Sequence, residues 1–420
     1  MTLDLTRIRA QFPALQSGVV YLDNPGGTQI AARSLERIND YLIRTNANHG
    51  GNFETSRASD ALVDAARAAG ADFLNAASPD EIVFGNNMTT LTFNITRSLA
   101  HLLKPSDTIV VTRLDHDANI SPWLLLAQDT GCRVRWVDFH PEDGTLDMDD
   151  MAAAMSENPK IVAVGYASNA LGTINPVGRV VEMAHAAGAL VYIDAVQYAP
   201  HGPIDVQKLG TDFLVCSSYK FFGPHAGMLY GRLDLLESLK AYRVRPAPAQ
   251  APGKFETGTG NFEGMAGLLG ALEYLEWLGN TFGSEHAELY QEEYSGRRLA
   301  FKQAMAALRS YEMEVNRALL AQLQETPGAT VYGITDERRL DQRVATFSFT
   351  LSGMTQEAAA RALGERRIQV WNGNFYALAV TERLGLEGRG GLIRVGPVHY
   401  NTIDEVNLFG QALREIISAA

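Results

Sequence analysis

Cysteine is almost missing from this chain, with only Cys132 and Cys216 among 420 residues. Two thiols cannot staple a disulfide scaffold, and neither has zinc-ligand spacing, so no metal site is expected. They read as buried or half-buried thiols in a reducing compartment. Long apolar runs are missing too. No stretch approaches the roughly 20 apolar residues that span a bilayer. Met1 to Gln16 mixes charges without the apolar stretch of a secretory signal. Positive charge is in deficit: 36 Lys and Arg stand against 48 Asp and Glu, a formal net charge of -12. Such a chain meets nucleic acid and anionic membrane as like charge, so neither is an expected partner. There is no internal repeat and no low-complexity segment. A cytoplasmic globular protein is the expectation that survives these exclusions.

What is present is an alternation of short apolar runs with helical patterns. With 420 residues, 46% of them hydrophobic, the chain exceeds one compact core, so a large and a smaller domain are expected. Strands are expected at Ile82 to Gly85, Thr108 to Thr112, Arg133 to Phe139, Ile161 to Tyr166, Leu190 to Asp194, Phe213 to Ser217 and Gly227 to Tyr230. Most are continuous apolar runs, which suit a sheet buried on both faces. Helices are expected between them, at Thr90 to Ala100, Ser121 to Thr130, Met148 to Glu157 and Gly178 to Ala187. This alternation predicts an α/β domain with a mostly parallel sheet, over residues 20–285.

Arg243 to Gly264, rich in Pro and Gly, reads as a long loop, of a length that is usually functional or disordered. A helical stretch follows from Phe262 through Leu323, with breaks expected near Gly279 and Gly283. Beyond it, strands at Val344 to Leu351, Ile368 to Trp371 and Leu392 to Gly396 mix with helices at Gln356 to Gly364 and Ile403 to Ser418. These form an expected small α+β domain over residues 286–420, joined by residues 1–19.

The most specific stretch runs from Tyr192 to Pro224. Asp194 and Gln197 fall at the carboxyl end of one expected strand, and Lys220 falls just past another. Ligands of open α/β sheets bind outside the carboxyl ends of strands. A Lys amine and an Asp carboxylate delivered there suit pyridoxal 5'-phosphate. The amine forms a Schiff base, and the carboxylate keeps the pyridine nitrogen protonated so that the ring draws electrons. Alone, a Lys is usually a solvated surface charge and an Asp usually a helix cap. The full string D-A-V-Q…S-S-Y-K-F-F-G-P is far more specific than either. A nicotinamide enzyme is a weaker alternative, because no G-x-G-x-x-G follows an early strand.

Further motifs occur in order: Y-L-D-N-P-G-G from Tyr21, G-N-N-M-T-T-L-T-F-N from Gly85, D-H-D-A-N-I-S-P-W from Asp115 and S-N-A-L-G-T-I-N-P-V from Ser168. E-T-G-T follows from Glu256, and R-V-G-P-V-H-Y-N-T from Arg394. With these the chain resembles the class V, fold-type I pyridoxal-phosphate enzymes of the cysteine desulfurase and selenocysteine lyase group, from Tyr21 to Thr402. The resemblance implies roles. Thr89 and Thr90 open a helix whose N-terminus suits a phosphate, with Thr90 as its ligand. His116 stacks on the pyridine ring. Asn169 and Gln197 bond the cofactor oxygen or the substrate. Ser217 and Tyr219 flank Lys220 as phosphate ligands; Tyr219 stands where the family usually has His, and a phenol still donates. Thr259 reaches the neighbouring subunit's phosphate site, which implies a homodimer with shared active sites. Arg394 grips the α-carboxylate of a small amino-acid substrate with a guanidinium fork.

One departure matters. Desulfurases carry a nucleophilic cysteine in a loop before the Arg394 strand. Here that loop reads W-N-G-N-F-Y-A, Trp371 to Ala377, with Tyr376 at the equivalent position. A phenol cannot accept sulfur as a persulfide. Cys132, beside Gly131, and Cys216, before Lys220, both lie in expected strands rather than in that loop. A persulfide mechanism is therefore not expected. Lyase and aminotransferase chemistry remain, with Lys220 as base, as does racemase or epimerase chemistry with Tyr376 or His116 as second acid. Trp371, Asn374, Phe375 and Tyr376 are expected to shape the substrate pocket, with Asn374 touching substrate. A non-catalytic scaffold is the alternative from another class, and keeping Lys220, Asp194, His116 and Arg394 together argues against it.

Overall fold

The computed structural model describes residues 3–419. The seven expected strands assemble into one sheet: β1 (Ile82–Gly85), β2 (Thr108–Thr112), β3 (Arg133–Val137), β4 (Ile161–Gly165), β5 (Leu190–Asp194), β6 (Phe213–Ser217) and β7 (Gly227–Gly231). Their order is β1-β7-β6-β5-β4-β2-β3. Only β7 runs antiparallel to its neighbours; the remaining pairs are parallel. Side chains alternate between two cores. Val162 and Val164 of β4 enter one, Ile161 and Ala163 the other. Helices seal both faces, which is why the strand sequences are apolar at successive positions.

Five helices bear on the argument: α1 (Glu54–Leu74), α2 (Met88–Leu99), α3 (Ser121–Thr130), α4 (Phe262–Phe282) and α5 (Gly296–Gln324). A second, antiparallel sheet has the order β8-β9-β11-β10, from β8 (Ala329–Tyr332), β9 (Phe347–Leu351), β10 (Trp371–Gly373) and β11 (Leu392–Val395). Helix α5 serves two cores, placing Phe301 and Leu308 in that of the large sheet and Val315, Leu319 and Leu323 in that of the small one. Among the described residues, no helix is long and apolar enough to cross a membrane.

Several boundaries differ from expectation. The run Arg133 to Phe139 breaks at Asp138, whose amide donates to the Asp150 carboxylate at 2.8 Å; Phe139–His140 then pairs with Thr145–Leu146 outside the main sheet. The run Ile368 to Trp371 is divided between two sheets. Ile368–Gln369 pairs with Val20–Tyr21, while Trp371 opens β10 against β11. Helix α2 begins at Met88, two residues before the expected start, because Asn87 caps it through the Thr90 amide. The 243–264 loop is tied down. Arg67 holds Glu256 with two bonds of 2.9 and 3.0 Å, and the Phe84 amide donates to the same carboxylate.

Gly279 is not a break. It lies inside α4, which runs on to Phe282. A β-carbon at Gly279 would lie 1.9 Å from the Ala300 carbonyl oxygen, so the residue is small to let α4 and α5 cross backbone to backbone. Gly279→Ala is expected to cost about 1–3 kcal/mol through overpacking. Gly364→Ala, at a helical position with open space around the added methyl, is the control and is expected to be neutral or stabilising. Thermal unfolding of both variants checks the contrast.

Candidate active site

The carboxyl ends of the large sheet gather the chemistry at one edge. Strand β5 ends in Asp194. Strand β6 ends in Ser217 and passes into a tight turn, Ser218–Lys220. The chain leaving β2 supplies Asp115 and His116, that leaving β4 supplies Asn169, and the start of α2 supplies Thr89. From the small sheet come Arg394 on β11 and the loop carrying Phe375 and Tyr376. Together they frame a cavity of about 630 Å³, lined by Asp23, Thr89, His116, Asn169, Tyr219, Lys220, Phe375, Tyr376 and Arg394 among others.

Two buried cations dominate it. Lys220 is pushed down to about 7 by burial and by the Arg394 charge, against the pull of Asp23 and Asp194. From an ordinary 10.5, that disfavours the ammonium by roughly 5 kcal/mol. Its Nζ donates to the Pro25 carbonyl. Arg394 donates to Asp23 Oδ1 at 3.1 Å and to the Asn169 carbonyl at 3.1 Å, and its guanidinium lies 4.4 Å from the Phe375 ring centroid. Its Nε is buried with no partner. Gly26 is small for a reason: a β-carbon there would sit 2.4 Å from Asp23 Oδ2, displacing the carboxylate that holds Arg394.

Burial raises Asp194 to about 6, while the Val196 amide and Lys220 pull it back. Asp115, behind it, is raised to about 8, chiefly by burial; it takes a 2.8 Å hydrogen bond from Thr112. Burial, with Lys220 and Arg394, pushes His116 down to about 3 and keeps it neutral. Its Nδ1 accepts from the Ala118 amide at 3.0 Å, and the Tyr376 ring stacks on it with centroids 5.6 Å apart. Tyr376 thus covers one side of an imidazole that also lines the cavity.

The remaining expected residues divide. Tyr219 lines the cavity, stacked on His225 with centroids 5.0 Å apart; burial keeps its phenol protonated, a donor. Asn169 donates to the Phe375 carbonyl at 2.8 Å, and Gln197 donates to Thr346 at 3.0 Å. Ser217 Oγ accepts from the Met88 amide at the start of α2. Thr90 is exposed, with its amide and hydroxyl both engaged by Asn87, while Thr89 faces the cavity. Asn374 does not line the cavity. Its amide bridges Glu387 and the Tyr376 amide, so it shapes the loop rather than reaching inward. Thr259 is exposed and lies apart from this chain's own cavity. Asp23, Asp115 and Asp117 were not singled out from the sequence; Asp115 and Asp117 flank His116, and Asp23 lies inside the Y-L-D-N-P-G-G motif, which was the available signal.

The arrangement fits pyridoxal phosphate. A buried lysine of lowered basicity, a buried carboxyl at a strand end that feels its charge, and a neutral imidazole lining the cavity lie at one edge of the sheet. Asn169 Oδ1 and Gln197 Oε1 are buried without partners, as expected where a ligand's polar atoms complete the set.

Comparison with known proteins agrees. The model of the family described as aminotransferase class-V matches residues 20–303 and 295–409. The aminotransferase-like protein FGM3 of Gibberella zeae is 34% identical, over 99% of both chains. A cysteine desulfurase of Synechococcus elongatus is 33% identical over 98% of this chain, which spans 64% of that longer protein. The apo structure of a cysteine desulfurase from Thermococcus onnurineus superposes with a TM-score of 0.88 at 26% identity, covering 100% of this chain and 99% of the other. The chain therefore belongs to the class V aminotransferase family, a family of pyridoxal-phosphate enzymes that includes the cysteine desulfurases.

Proposed function

We propose that this enzyme is an amino-acid lyase or aminotransferase that works without a persulfide cysteine and uses Lys220 as its single proton-transfer base. The observation that carries this reading is the aromatic ring of Tyr376, which lies over His116 in the loop where desulfurases carry their nucleophile. Neither thiol can replace it. Cys216 is fully buried in β6, where burial and Asp194 hold its thiol protonated. Cys132 sits just before β3, at the opposite end of the sheet, with its thiol against the Lys104 carbonyl.

Bound pyridoxal phosphate supplies an electron sink for a carbanion at Cα. The chain supplies the rest. Lys220 holds the cofactor and moves the proton at Cα. Asp194 pairs with the ring nitrogen, and His116 packs against the ring. Thr89, Ser217 and Tyr219 would form the phosphate end, with Thr90 contributing only if its hydroxyl leaves the Asn87 carbonyl, while Asn169 and Gln197 would serve the ring oxygen. Arg394, held by Asp23, fixes the substrate α-carboxylate and so orients the Cα–H bond. A racemase needs a second acid on the opposite face. Neutral His116 has no imidazolium proton to give, which leaves only Tyr376 for that role. A non-catalytic scaffold would have no use for two mutually repelling buried cations. Thr259, presented outward by the anchored 243–264 loop, is proposed to complete the phosphate site of a second copy in a homodimer.

Three outcomes are expected. The rate at which apoprotein takes up pyridoxal phosphate, followed by absorbance, rises with pH through about 7, because the neutral Lys220 amine is the nucleophile and the ammonium is not. An uptake rate flat from pH 6 to 8.5 contradicts the buried lysine. Cys132→Ala with Cys216→Ala leaves the reaction on amino acids within about threefold. A protein persulfide formed from L-cysteine and lost in that variant, read by intact mass, would refute the cysteine-free mechanism. Thr259→Ala leaves a dimer by sedimentation but retains the cofactor at least fivefold less tightly; unchanged retention removes Thr259 from the site.

A further inference from the structure

We infer that Asp117 and the aromatic wall beside it form a subsite for a cationic side chain, so that the substrate is a basic amino acid carrying an amino or guanidino group. The inference rests on the reading of this cavity as an amino-acid site.

Asp117 lines the same cavity as Lys220 and Arg394. Two bonds fix it. Its amide donates to the Tyr376 carbonyl at 2.6 Å, and its Oδ2 accepts from the Ser121 hydroxyl at 2.6 Å. Among the described residues, no hydrogen bond reaches Oδ1 and no basic side chain pairs with the carboxylate. The other carboxylates at this edge are engaged: Asp23 by Arg394, Asp194 by the Val196 amide and the Lys220 charge. Asp117 is thus an anchored carboxylate without a counter-ion among the described residues, in the wall of a cavity that also holds two cations.

The surroundings select what completes it. Phe93, Pro122, Trp371 and Tyr376 line the cavity with it. Trp371 is 57% exposed and Tyr376 74% exposed, so aromatic surface remains open to a ligand even with Tyr376 stacked on His116. Aromatic faces attract a cation, and a carboxylate beside them adds a charge-assisted hydrogen bond. Polarity also runs the right way. Lys220 and Arg394 are buried at 7% and 4% exposure and attract the α-carboxylate inward. Asp117 is half-buried nearer the open aromatic rim, so a cationic side chain points outward to it. A neutral side chain would leave Asp117 unpaired in a partly desolvated wall, and an acidic one would meet like charge.

The test is a binding titration of the holoenzyme, read by absorbance shift and by calorimetry, with matched pairs of ligands. L-Arginine is paired with its neutral isostere L-citrulline, and L-lysine with L-norleucine. The charged member of each pair is expected to bind at least tenfold more tightly. In Asp117→Asn, and in the smaller Asp117→Ser, both ratios fall toward one; the thermal midpoint confirms that each variant is folded. Equal affinities within the pairs, or ratios unchanged in both variants, overturn the subsite while the amino-acid reading stands. Silence with every ligand, charged or neutral, overturns the amino-acid reading and the subsite with it.

Discussion

Two positive charges buried in one cavity set the terms for everything around them. Burial lowers both groups' tendency to stay charged, and the Arg394 charge lowers that of Lys220 further. Such a pair persists only where the fold holds it by other means. Here Asp23 and the Asn169 carbonyl take the guanidinium, the Phe375 ring lies against it, and the Pro25 carbonyl takes the lysine. The division of roles follows. A guanidinium keeps its charge under this pressure and remains an anion clamp. An amine gives way, and becomes a nucleophile and base near neutrality.

The clamp also joins the two sheets. Arg394 arrives on β11 of the small sheet, but its partners Asp23 and Asn169 belong to the N-terminal segment and to the exit from β4. Asn169 returns the connection, since its amide holds the Phe375 carbonyl in the 371–377 loop. Phe375 and Tyr376 both take left-handed backbone, with φ of 58° each, a conformation that side chains other than glycine rarely adopt. Strain of that kind collects where a loop must present particular groups. Here the groups are the Tyr376 ring over His116 and the Tyr376 carbonyl that receives the Asp117 amide. Arg394, the 371–377 loop and His116 are therefore one connected unit.

The large sheet was legible in the sequence because burial on both faces writes itself as continuous apolar runs. Lys220 and Asp194 were legible because such runs end at them, and strand ends are where ligands sit. What escaped reading is tertiary. Nothing local marks Asp138 as the point where β3 leaves the sheet, since the Asp150 carboxylate that draws the chain away lies on a later helix. Gly279 looked like a helix breaker because its reason for being glycine, the Ala300 backbone, is more than 20 residues away in sequence. Asn374 looked like a substrate contact because it shares a loop with Tyr376; only its bond to Glu387 turns it aside. The site was legible where a motif residue acts through its own side chain, and illegible where a neighbour acts on it.

If Asp117 takes a cationic side chain as proposed, this family scaffold would change selectivity with few substitutions. The backbone of D-H-D-A-N is fixed by the His116–Ala118 bond and by the Tyr376 carbonyl, which hold His116 at the cavity. Within that constraint the side chain after the histidine is free to vary, since it caps nothing and braces no strand. A carboxylate there, opposite a loop whose reactive position carries a phenol instead of a thiol, alters two properties together. On the proposed reading the phenol would remove sulfur transfer, and the carboxylate would add a negative pole beside Lys220 and Arg394. Both changes lie in the two segments that meet at the Asp117–Tyr376 bond. Chemistry and selectivity would then be set across a single contact, while Lys220, Asp194 and Arg394 stay as the common machinery beneath it.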